Sequence, residues 1–138
     1  MVETERIKIK TKAGTDLVNI TDTVAGAIDR SKITSGIVVI FVAGSTASIS
    51  TIEYEPNLIK DVIRTMEKIA PSDIEYEHHK TWQDDNGVSH VRATLAGPGI
   101  TVPFSNRKLL LGTWQQIILM DFDTRPRDRE IILQIMGD

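Results

Sequence analysis

The segment "GIVVIFVAG", Gly36 to Gly44, is the strongest constraint on the fold. It is a continuous β-branched and aromatic run held between glycines, far shorter than the roughly 20 apolar residues needed to span a bilayer. Such a run predicts a strand buried on both faces, so material must cover both sides of its sheet. Around it, "ERIKIKTKAG" alternates apolar and basic residues, as an edge or half-exposed strand does, and "DLVNI" continues as a short strand. "STASISTIEYEP" reads as a small-residue turn and a further strand. "SHVRATLAG", "ITVPF", "RKLLLGTWQQIILMDF" and "REIILQIMG" read as more short strands joined by Gly, Pro and Asn turns.

Two segments carry helical periodicity. In "TDTVAGAIDRS", Thr21 or Asp22 offers an N-cap and Val24, Ala27 and Ile28 share a face. In "EPNLIKDVIRTMEKIAP", Leu58, Ile59, Val62, Ile63, Met66 and Ile69 form one apolar stripe that Pro71 ends. With no repeat, linker or low-complexity tract, residues 1–138 are expected to form one α+β domain. It would be a mixed, largely antiparallel sheet or sandwich with two main helices.

Composition narrows the function classes. Cysteine is absent, which excludes disulfides and thiolate metal sites. The net charge of −3 provides no general attraction to nucleic acid or anionic lipid, so neither is an expected partner. The start, "MVETERIKIK", lacks the apolar core of a signal peptide, and no run is long enough for a membrane span. A cytoplasmic setting is the expectation.

All three histidines fall in "YEHHKTWQDDNGVSHVRA". If Glu75–Thr81 is extended, His78 and His79 point to opposite faces. A turn at Asn86-Gly87 would then bring His90 near one of them. Two imidazoles on facing strands can grip a divalent metal, Mg or Zn, or share acid and base roles near neutral pH. A surface histidine pair plus one hydrogen-bonded histidine is the alternative. Glu53, ending a strand after "GSTAS", would complete a His-His-carboxylate set if it lay nearby. Glu55 is expected in the first turn of the second helix and Asp61 on its solvated face.

"AGSTAS" follows a buried strand but lacks a P-loop lysine, although the hydroxyls of Ser45 and Thr46 can donate to an oxyanion. In "DTRPRDR", Arg125, Arg127 and Arg129 alternate. They suit phosphate binding, or salt bridges with Asp121, Asp123, Asp128 and Glu130. In "LGTWQQI", Trp114 can stack on a ligand ring while Gln115 fixes it, unless the tryptophan is core.

"GIVVIFVAGSTASISTIEYEP", "YEHHKTWQDDNGVSHVRATLAGPGITVPF" and "LLLGTWQQIILMDFDTRPRDR" together resemble the YjbQ family, small proteins associated with secondary thiamine-phosphate synthesis. The resemblance runs from Gly36 onward, with "SHVRATLAGPGITVPF" and "LGTWQQI" its most specific pieces. It implies a compact α+β fold, a homotrimer, and weak transferase activity joining a hydroxymethylpyrimidine pyrophosphate to a thiazole phosphate. Carried over by position, it implies catalytic roles for Glu53, His78 and His90. It implies substrate-binding roles for Ser45, Thr46, Ser48, Asp61, Trp114, Gln115 and Arg127, with His78 and His90 the candidate metal ligands. His79 is not a family position, which leaves it an outward-facing bystander. Many family members have histidine where this chain has Gly44, so no three-histidine centre is available within it. A non-catalytic oligomer that binds a metal or a phosphorylated metabolite is the alternative function.

Overall fold

The computed structural model describes residues 1–138 as eight strands and four helices. Strands β1 (Val2–Lys10), β3 (Gly36–Val42), β5 (Gly99–Ser105), β6 (Lys108–Leu109) and β8 (Asp128–Gly137) form one sheet, ordered β1-β8-β3-β5-β6. Strands β2 (Asp16–Asn19), β4 (Ala47–Glu53) and β7 (Gln115–Asp121) form a second, ordered β2-β7-β4. Every pairing is antiparallel. The helices are α1 (Thr21–Arg30), α2 (Pro56–Ile69), α3 (Glu77–Trp82) and α4 (Gly87–Ala96). The expected α+β class with antiparallel sheets holds; the two main helices become four.

The sheets face each other across a core containing Val38, Ile40, Leu133 and Ile135 from the larger sheet and Ile49, Ile117 and Leu119 from the smaller. Helix α1 completes it with Val24, Ala27 and Ile28, the three residues its periodicity selects. A second core lies on the other face of the smaller sheet. There Leu17, Ile118, Met120 and Phe122 meet Ala93 of α4 and the half-buried Ile59, Val62 and Met66 of α2. The molecule is thus layered: five-stranded sheet, three-stranded sheet, helices.

This layering corrects the reading of β3. Only its inner residues, Val38, Ile40 and Val42, are buried, while Ile37 and Phe41 are 37% and 41% exposed on the outer face. The strand buried on both faces is β7, where Ile117 to Asp121 are all buried because it divides the two cores. Both strands have the same continuous apolar text, and only the layer order separates them.

Chain reversals follow local chemistry. Asn106 and Arg107, both at positive φ (50° and 62°), form the two-residue turn between β5 and β6. Arg107 then donates to the carbonyl of Ser31 at 2.6 Å, just past the end of α1. Gly36 and Gly137 face each other at the sheet margin. A Cβ on Gly36 would meet the Met136 carbonyl at 1.9 Å, so neither strand tolerates a side chain there.

Helix N-termini depart from the expected caps. At α1, Asn19 Oδ1 accepts from the Thr21 N–H at 3.0 Å, while Thr21 itself is already helical. At α2, Glu55 is the N-cap rather than a first-turn residue, its carboxylate accepting from the N–H groups of Asn57 and Leu58. The C-terminus of α2 is held by Arg92, whose side chain is almost wholly buried. It donates to the Ala70 carbonyl (3.0 and 2.7 Å), to Glu67 (2.7 Å) and to Thr15 (3.1 Å).

Candidate functional site

The histidine segment is helical, not extended, and this is the main correction to the sequence reading. His78 and His79 lie on α3, and His90 lies in the first turns of α4. "HVRATL" alternates polar and apolar residues, which is strand text. The helix prevails because its buried stripe is Val88, Ser89, Arg92 and Ala93, with every guanidinium nitrogen of the arginine hydrogen-bonded, while Val91 (39%) and Leu95 (63%) are left exposed. Asn86-Gly87 does break the chain, but as the entry to α4 rather than as a hairpin.

The chain reversal still brings two imidazoles together. The rings of His78 and His90 meet edge to face with centroids 4.6 Å apart, and both are half-buried. Asp84, between the two helices, places Oδ1 3.7 Å from His78 Nε2. His79 is not a bystander: its Nε2 accepts from the Gly87 N–H at 3.3 Å, satisfying one of the free donors at the start of α4. Gly87 is required there, because a Cβ would lie 2.7 Å from Tyr76 Cβ.

Glu53 does not join the pair. Ser48, near one end of β4, donates to the Ala93 carbonyl of α4 at 3.1 Å. Glu53 lies five residues further along, about 17 Å at strand rise. It lines a separate cleft with Asn19, Tyr54, Glu55, Thr113, Trp114 and Gln116. Trp114 is 72% exposed there, so it is surface rather than core. No three His, Asp or Glu side chains converge as metal ligands. Two edge-to-face rings with one distant carboxylate do not fit a resident Zn centre, which needs at least three protein donors.

The remaining positions divide into structural and exposed. Ser48 is fully buried and joins β4 to α4. Gln115 accepts from the Gly112 N–H at 3.0 Å and donates to Thr51 at 3.1 Å, fixing the turn that presents Trp114. Asp61 is exposed on α2 and pairs with Arg64 at 2.5 Å. Ser45 is exposed in the β3–β4 turn, whereas Thr46 is buried and donates to Asp123 at 2.9 Å.

That last contact belongs to a charged network under the turn. Asp121, with no exposed surface, accepts from Arg129 Nε (2.7 Å) and Nη2 (2.9 Å) and from Thr11 (2.6 Å). Asp123 accepts from Arg127 Nε at 2.9 Å. Burial pushes the Asp123 carboxyl up, but hydrogen bonds from Thr46, Arg127 and the Thr124 N–H outweigh it and hold the pKa below the usual value. The salt-bridge reading of the arginine turn therefore holds for Arg127 and Arg129. Thr124 extends the network to the histidine segment by donating to Asp85 at 3.0 Å.

The signal for this network was the pair Asp121 and Asp123 inside apolar text, "LMDFD", two residues ahead of three arginines. Asp84 carried no comparable signal, since one carboxylate beside another in a polar loop is ordinary.

Beside the network lies a cleft of about 290 Å³ lined by Gly44, Ser45, Ala47, Ala93, Thr94 and Pro98. Thr94 is one helical turn from His90, to whose carbonyl its hydroxyl donates at 2.7 Å. The His90 backbone therefore lies about 6 Å along the α4 axis from Thr94 on the cleft wall.

The family model described as "UPF0047 protein YjbQ-like" matches residues 5–138. A UPF0047 protein of Methanothermobacter thermautotrophicus is 36% identical over 136 residues, covering 99% of this chain and 93% of that one. UPF0047 protein YugU of Bacillus subtilis is 31% identical over 132 residues, covering 95% and 97%. Among solved structures, a YbjQ-like protein of unknown function from Sulfolobus solfataricus superposes with a TM-score of 0.89 at 32% identity, over the full length of both chains. The chain belongs to the YjbQ (UPF0047) family.

Proposed function

We propose that the chain acts on a small phosphorylated heterocycle, with weak thiamine-phosphate synthesis as the specific reaction. The observation that carries this reading is the His78–His90 pair, backed by Asp84 and standing one helical turn from an open cleft. In that reaction the bond between the pyrimidine methylene and its pyrophosphate breaks, the electron pair leaving with the pyrophosphate. The thiazole nitrogen attacks the same carbon and becomes quaternary, so no proton has to be removed from the nucleophile. Help is needed on the departing anion, and an imidazolium is suited to donate to it.

The test is thiamine-phosphate formation by purified protein given both substrates and Mg²⁺. Loss of a proton donor lowers such rates by about 10²-fold or more. His90→Ala should therefore be at least that much slower, and equal turnover rejects the role.

A second reading, a non-catalytic binder of phosphorylated metabolites, draws on two features. Gly44 supplies no side chain, and the Glu53–Trp114 cleft lies at the far end of β4 from the histidines. Saturable binding of the thiazole phosphate without turnover would favour it.

A homotrimer is part of the proposal. Its support is the uncovered outer face of the larger sheet, where Ile37, Val39 and Phe41 of β3 adjoin Ile132 and Met136 of β8. Light scattering should give three times the 15.4 kDa chain mass; a monomer at micromolar concentration would overturn it.

A further inference from the structure

Arg129 is held so that one edge of its guanidinium is left over. The residue is 7% exposed and lies behind Gly44, which lines an open cleft. Its Nε and Nη2 are committed to Asp121, and Nη2 also donates to Thr46 at 2.5 Å. Its Nη1 donates to no protein acceptor, and it is not among the enclosed polar atoms that lack a partner. Where Nη1 points is set by Gly44: a Cβ at that position would lie 2.8 Å from it, and Gly44 lines the cleft.

The surroundings suit an anion. None of the residues lining the cleft is a carboxylate, and Ser45 adds an exposed hydroxyl at its rim. Asp121 and Asp123 are matched below by Arg129 and Arg127, so a ligand meets a free N–H edge rather than unbalanced negative charge. A guanidinium locked by a bidentate carboxylate loses little further freedom when it binds, which favours recognition at that remaining edge.

We propose that Arg129 Nη1 and the Ser45 hydroxyl form a phosphate-binding subsite in this cleft, with the bare backbone at Gly44 as the opening that admits the phosphate. The identification of the phosphate as part of a substrate rests on the function proposed above; the subsite itself does not.

The test is a titration of the intact protein with inorganic phosphate at constant ionic strength, followed through backbone amide resonances. Saturable shifts are expected at residues 44 to 47 and at Thr94. Gly44→Ala should weaken binding about tenfold or more, since its methyl displaces the donor edge while leaving every ion pair of Arg129 a partner. Ser45→Ala should weaken it by a smaller factor, and it carries the test if the alanine at 44 does not give a folded spectrum. Absence of saturation up to about 50 mM, shifts confined to other surfaces, or equal affinity in all three proteins would overturn the subsite. Failure to make thiamine phosphate leaves this measurement untouched. Absence of phosphate binding likewise leaves the His90→Ala comparison standing.

Discussion

Asp121→Asn isolates the energetics of the network beneath the cleft. The carboxylate has no exposed surface and accepts four hydrogen bonds: two from Arg129, one from Thr11 and one from the Asp123 N–H at 2.9 Å. An amide of the same shape offers one oxygen to these donors and turns an NH2 group toward the others. Arg129, itself 7% exposed, then keeps its charge with only part of its partner set. Breaking one side of a buried pair costs about 3–5 kcal/mol, because the remaining charge stays buried without compensation. An unfolding entropy near 2.1 cal/mol/K per residue gives about 290 cal/mol/K for 138 residues, so Tm should fall by about 10–17 °C. Urea denaturation at pH 7 with an unchanged m-value is the check. The double variant Asp121→Leu with Arg129→Met should recover much of the loss, since it leaves no lone charge. A single variant within about 1 kcal/mol of the parent would refute the argument that Asp121 is what fixes the guanidinium.

Two further outcomes rest on other parts of the fold. Glu67 has its pKa lowered from 4.5 to about 2, chiefly by hydrogen bonds from the Ser72 N–H and hydroxyl and then by Arg92. A depressed carboxyl stabilises the fold above its unfolded value and loses that contribution as pH falls through the folded one. The melting-temperature gap between the parent and Glu67→Gln should therefore be present at pH 6 and shrink between about pH 4.5 and 2; a constant gap would contradict the assignment. Gly87→Ala sets a methyl 2.7 Å from Tyr76 Cβ and 3.1 Å from His79 Nε2, which should cost about 1–3 kcal/mol in thermal unfolding and loosen α3 against α4, and an unchanged melt would show that the two helices can part without penalty.

The parts of the architecture that were legible in the sequence are those where local pattern and tertiary demand coincide. Val24, Ala27 and Ile28 lie at helical spacing and all three are buried. Alternation in β1 survives as an exposed-to-half-buried alternation along the whole strand. In α2 the stripe is right but its coverage is not, for Ile63 and Ile69 remain 37% and 59% exposed. Periodicity specifies a face, whereas the width of the surface that meets it is a property of β2, β7 and α4 together. Residues 90–95 failed for the opposite reason: perfect alternation described a strand, and a single buried arginine, Arg92, with acceptors on α2's end, made the helical face viable. No local rule counts a guanidinium as a core residue, because its burial depends on Ala70 and Glu67, more than 20 positions away.

The same distinction separates the site residues that came together from those that did not. His78 and His90 are twelve positions apart, and any tight reversal between them makes contact possible; the reversal was right in place and wrong in kind. Glu53 had to arrive through the register of β4 against β7, where Ala47 pairs with Asp121 and Glu53 with Gln115. That register sends the two ends of β4 to two different clefts. Ala47 stands with Arg129's free edge and α4, while Glu53 stands with Trp114. Sliding β4 by one residue cannot repair this, since it would turn Ile49 out of the main core and Ser50 into it. The separation of the Glu53–Trp114 cleft from the cleft at Gly44 and Thr94 is thus fixed by the same packing that stabilises the sheet. A ligand that touches both clefts of one chain must span the length of β4.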